Sequence, residues 1–143
     1  MSVNVEKVEA LKSRMKILAI LSNALELLSG EWAKTVCWIA GKRLGENVNV
    51  GEKSSLEDVF SVVSPWKVEV FEKKNDNEYL VIFRECPIRQ THYVVCTKQG
   101  NVMCQITHGY ITQVIAKALK KNVKLVLLHA GPNACLKKVV IEK

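Results

Sequence analysis

A chain of 143 residues has the length of one domain. Apolar residues at 48% and charged residues at 24% exclude a disordered or low-complexity chain and predict an ordinary packed core. The formal charge of +7 invites an anionic partner, but no nucleic-acid motif accompanies it. A lysine-rich solvated surface accounts for the excess, and no direct nucleic-acid binding is expected.

The N-terminal segment carries Glu6 and Glu9 and has no small-residue cleavage pattern, so a cytoplasmic location is expected. Its longest apolar run, Ile17 to Leu21, is far too short to span a membrane. In that compartment the five cysteines are expected to be reduced.

Asn4 is placed to cap a first helix, in which Val8, Leu11, Met15, Leu18 and Leu25 recur at helical spacing. From Ile17 a second apolar side appears, so this helix requires burial on nearly all sides. Part of that burial is expected from a second copy, in a homodimer. Ser29-Gly30 ends the helix. A second helix is predicted from about Glu31 to Leu44, with Ala33, Cys37, Ala40 and Gly41 forming a face of small residues that permits close backbone approach. Ser55-Leu56-Glu57-Asp58 has the form of a capping sequence for a short helix from Leu56 to Val63, stopped by Pro65.

From Trp66 the apolar period changes to two. Trp66, Val68 and Val70 predict a half-buried strand, Asn75-Asp76-Asn77 a turn, and Tyr79 to Phe83 a more central partner strand in an antiparallel hairpin. His92 to Cys96 reads either as a short strand or as a pocket lining. A helix is predicted from Asn101 to Asn122, with Met103, Ile106, Tyr110, Val114 and Ala118 in one stripe. Gly109 inside it costs about 1 kcal/mol against alanine, which implies a close neighbour at its backbone. Val123 to Leu128 and Ala134 to Ile141 are predicted strands about the turn Gly131-Pro132-Asn133. The fold class that follows is α+β: an antiparallel sheet of four or five strands with three long helices packed on one face, as a single domain over residues 1–143.

Four cysteines and all three histidines fall between Cys86 and Cys135. Cys86, Cys96, Cys104 and Cys135 with His129 supply the ligand types of a zinc site, although no Cys-x-x-Cys pair is present. The competing explanation is that cysteine is a small core hydrophobe. Cys104 and His108 share a helical face, as a nucleophile and its base require, but no third orienting residue is evident. Cys104 near a helix N-terminus also suits a redox-responsive thiol. Trp38, Tyr93, His108, Gly109 and Tyr110 are candidates for lining an apolar ligand pocket, which ordinary core packing explains equally well.

Cys104-x-x-x-x-Gly109-Tyr110-Ile111, followed by a helix, a strand and Gly131-x-x-x-Cys135, resembles the 4-vinyl reductase (hydrocarbon-binding) domain family. Ala40-Gly41-Lys42-Arg43-Leu44-Gly45 is similar to the glycine-bearing helix near the start of those domains, and Cys86-Pro87 and Cys96 to cysteines of some members. The resemblance implies a fold related to core subunits of the TRAPP tethering complex and to haem-nitric-oxide-binding domains. It also implies a small hydrophobic ligand, zinc in some members, and pairing through helices. Members often carry a cysteine where this chain has Leu127, with His129 two residues on. The reading is a non-catalytic, small-molecule binding or sensing domain. An interaction scaffold without ligand and a cysteine-dependent enzyme stand as alternatives.

Overall fold

The computed structural model describes residues 4–63, 66–91 and 102–142. Helix α1 runs from Val5 to Ser29, and the Asn4 side chain accepts from the Lys7 N–H at 3.3 Å as the sequence predicts. Gly30 ends it with φ of 50°, a conformation that glycine adopts without strain. Helix α2 spans Trp32–Glu46. Helix α3, Leu56–Val62, has the expected cap. Ser55 Oγ accepts from the Asp58 N–H at 3.2 Å and donates to the Asp58 carboxylate at 2.8 Å.

Four strands follow among the described residues: β1 (Lys67–Lys73), β2 (Glu78–Glu85), β3 (Val123–Ala130) and β4 (Cys135–Ile141). They form one antiparallel sheet in the order β1-β2-β4-β3. Between β2 and β3 lie a single turn of helix, α4 (Pro87–Gln90), and the long helix α5 (Cys104–Leu119). Pro87 opens α4, where its missing N–H is no loss. The possible strand from His92 to Cys96 lies outside the described residues. Helix α5 does not start from the expected cap at Asn101: it begins at Cys104 with Met103 in the cap position, after a turn at Val102–Met103. Its C-terminal limit differs from expectation. Lys120 adopts φ 53°, ψ 42° and its N–H bonds Ala116 O, so the helix closes before Asn122 is reached.

The core lies between α5 and one face of the sheet. Ile111, Val114, Ile115 and Ala118 of α5 meet Val81 and Phe83 of β2, Val139 and Ile141 of β4, and Val59 and Phe60 of α3. Directly paired strand residues share a face, so Phe83, Cys135, Val81 and Lys137 all point toward α5. A second, smaller cluster joins Ala33 and Cys37 of α2 to Cys86, Ile88, Val102 and Met103.

Helices α2 and α5 touch along their backbones. A Cβ on Gly41 would stand 2.0 Å from Ile106 O, and one on Gly109 would stand 2.1 Å from Trp38 O. Glycine is required at both positions because the facing atoms are main chain. The near-complete burial expected of α1 is not met within the chain. Ala19 is buried and Leu25 packs on the smaller cluster, but Leu27 (87% exposed), Leu28 (86%) and neighbouring Trp32 (74%) face outward.

Candidate functional site

The chemical groups of the chain gather at the end of the core where β2, β4, α4 and the N-terminal half of α5 meet. Strand β4 alternates inward and outward, with Cys135, Lys137, Val139 and Ile141 on the α5 side. Lys137 is therefore carried indoors by the register of its strand and is only 4% exposed. Its ammonium sits 4.1 Å from the centroid of the Phe83 ring, in cation–π geometry. Burial pushes its pKa down, and Arg89 acts in the same direction. Cys86, Cys104 and Cys135 are close enough to act on its charge in the opposite sense.

His108, on α5, lies within electrostatic reach of Lys137. It is 7% exposed, and its Nε2 has no hydrogen-bond partner among the described residues. Burial, with Lys137 nearby, lowers its pKa from 6.5 to about 3, so the ring is neutral at physiological pH. One residue earlier, and so on a neighbouring side of the helix, Thr107 Oγ1 accepts from Trp66 Nε1–H at 3.2 Å and lies 3.8 Å from Cys86 Sγ. Trp66 stacks on Tyr110 with ring centroids 4.6 Å apart. Arg89 ties α4 to the end of β2: its guanidinium donates to Phe83 O at 2.9 Å, to Arg84 O, and to Cys135 Sγ at 3.6 Å.

Three cysteines predicted as metal ligands, Cys86, Cys104 and Cys135, thus share Lys137 as an electrostatic neighbour. Cys96, the fourth, lies outside the described residues. His129 is placed elsewhere. A register shift between Leu127 and His129 pairs His129 with Leu136, which faces away from α5. His129 is exposed and its Nε2 lies near Gly131, so it does not replace a cysteine on the inner face. Among the described residues no group of three or more His, Cys, Asp or Glu side chains is arranged to hold a metal ion.

The pocket candidates divide as well. His108 and Tyr110 face the interior. The space beside Gly109 is filled by the Trp38 carbonyl of α2, so the glycine serves helix packing there. The Trp38 side chain is half exposed, with Lys42 Nζ 5.6 Å from its ring centre. It borders a groove of about 330 Å³ with Gly109, Thr112 and Val123, separate from the inner cluster. Tyr93 lies outside the described residues. Cys104 and His108 share the cluster, but His108 Nε2 receives no bond from the thiol.

Lys137, Trp66 and Thr107 were not among the predicted site residues. For Lys137 a signal was available. Lys137 and Lys138 are adjacent in an otherwise apolar strand, and neighbours in a strand face opposite ways, so one of the two had to turn inward.

No protein-family model matches the sequence, and no curated protein matches it. Among solved structures, the chain is similar to the phenol-responsive sensory domain of the transcription activator PoxR, crystallised with phenol. The TM-score is 0.56 at 12% sequence identity, over 88% of this chain and 74% of that one. The likeness is one of fold. Among the described residues, no helix is long and apolar enough to cross a membrane.

Proposed function

We propose that the chain is a small-molecule binding or sensing domain that takes a compact hydrophobic ligand against the inner face of the sheet. The observation that carries this reading is the inner cluster itself. Lys137, seated against the Phe83 ring, and His108, whose Nε2 is unpartnered among the described residues, are two buried polar side chains within electrostatic reach of each other at the sheet. An apolar site with a few convergent polar groups is the usual form of a small-ligand pocket. The fold it shares with a phenol-responsive sensory domain supports the same class of function. So does the resemblance of its glycine and cysteine motifs to the 4-vinyl reductase domains.

Native mass spectrometry of the purified chain tests the reading, together with a melting-temperature screen of small phenols and hydrocarbons. A copurifying small molecule, or a saturable rise in melting temperature, is the expected result. A screen with no rise and a bare protein mass would remove it.

Zinc is a separate proposal. The described residues do not compose a site for it, so it depends on Cys96 joining Cys86, Cys104 and Cys135. Elemental analysis showing about one zinc per chain supports it. Metal-free protein whose thiols all label without unfolding discards it.

The exposed apolar length of α1 favours one further role, self-association. Antiparallel pairing of two copies of α1 centred near Ile20 would set Arg14 of one helix, flanked by Lys12 and Lys16, against Glu26 of the other. It would also cover Leu21, Leu27 and Leu28.

A further inference from the structure

We infer that the inner cluster selects an organic anion: an apolar-bodied ligand whose carboxylate or phenolate oxygen pairs with the Lys137 ammonium and accepts from His108 Nε2–H. This deepens the small-ligand reading above and rests on it.

Among the described residues, no carboxylate acts on the buried Lys137 amine, whose charge burial disfavours. The described groups near it are the Phe83 ring, three thiols, Arg89 and His108. Every ion pair among the described residues joins solvent-facing side chains, such as Lys67–Glu85, Arg84–Glu69 and Lys120–Glu52. The acidic groups are thus spent at the surface. An ammonium withdrawn from water costs several kcal/mol unless a counter-charge and hydrogen bonds replace the water. A ring face supplies a fraction of that, and thiols are weak acceptors.

The second observation is independent of the lysine. His108 is more than nine-tenths buried, its Nε2 has no partner among the described residues, and its ring lies within electrostatic reach of Lys137. Buried polar nitrogens are almost always hydrogen-bonded, so this one points to a polar atom that the protein itself does not provide. In its neutral Nε2–H form the imidazole is a donor, and Lys137, protonated by pairing with an anion, is a donor only. Two buried donors within electrostatic reach of each other are complementary to an oxyanion between them and not to a second donor. The Phe83 ring beside Lys137 offers apolar surface to a flat hydrocarbon body attached to that oxyanion.

Calorimetric titration of the full chain with benzoate and with benzamide, its neutral isostere, tests the proposal, with phenol as a third probe. Benzoate is expected to bind at least ~10-fold more tightly than benzamide. Lys137→Met is expected to bring the two within about twofold by weakening benzoate alone, and His108→Phe to weaken benzoate several-fold. Lys137→Gln gives the same comparison should the methionine variant fail to fold. Equal affinity of the wild type for benzoate and benzamide would overturn the proposal, because it would mean that the thiols already balance the lysine. An unchanged preference in the lysine variants would overturn it too. In either case, binding of benzamide or phenol leaves the small-ligand reading standing. If none of the three probes binds, the anion proposal falls, and the broader reading passes to the wider ligand screen.

Discussion

At the scale of single residues, two side chains set the character of the interior. His108 is neutral because burial holds its pKa at about 3, against 6.5 in water. Between those values the unfolded chain binds a proton that the native chain refuses. Stability is therefore complete above about pH 6.5 and is lost as pH falls through the window toward 3. The slope from this residue approaches ~1.4 kcal/mol per pH unit inside the window. Denaturant midpoints measured from pH 7 to pH 5 should fall more steeply for the wild type than for His108→Gln.

Gly109 is the other decisive residue. Alanine there gains about 1 kcal/mol in helix propensity but drives a Cβ against the Trp38 carbonyl. Overpacking costs about 1–3 kcal/mol, and rigid backbone on the far side puts the cost at the upper end. Gly109→Ala is expected to lower the melting temperature by several degrees, with Gly41→Ala similar. An unchanged or raised value would show that the helix pair can spread at no cost.

At the scale of elements, α1 is the anomaly. A helix of 25 residues, roughly 37 Å long, rarely persists alone in water without an apolar face covered by something. Leu21→Glu and Leu28→Glu place charges in the stretch where antiparallel partners would cross. Both are expected to convert a dimer to monomers, or to a less soluble chain, as read by light scattering. A wild type already monomeric, or a dimer indifferent to both changes, would return α1 to its own chain. Strand β3 teaches a different lesson. One register shift near its end is enough to send His129 to the face opposite Cys135.

At the scale of the whole molecule, the α+β class, the antiparallel hairpin and the caps of α1 and α3 were legible in the sequence because each rests on local chemistry: apolar period, Asn4, Ser55 and the Asn75–Asn77 turn. The close contact at Gly109 was legible too, but what made it was not, since any backbone satisfies a glycine. The destination of His129 depended on a bulge that no local pattern marks. Lys137 was legible in principle and was hidden by its neighbour Lys138, which satisfies the expectation of a solvated lysine. A ligand that binds the native chain alone stabilises it by mass action, about 2.7 kcal/mol at one hundred times its dissociation constant. Benzoate at that level should therefore raise the melting temperature of the wild type by several degrees and that of Lys137→Met hardly at all, in a scanning calorimeter.

The seam at Gly41 and Gly109 has a mechanical meaning. With main chain resting on main chain, nothing soft separates α2 from α5, and the pair can translate only as a unit. A shift of α5 at His108 would therefore press on α2 directly, with no side chain between them to absorb it.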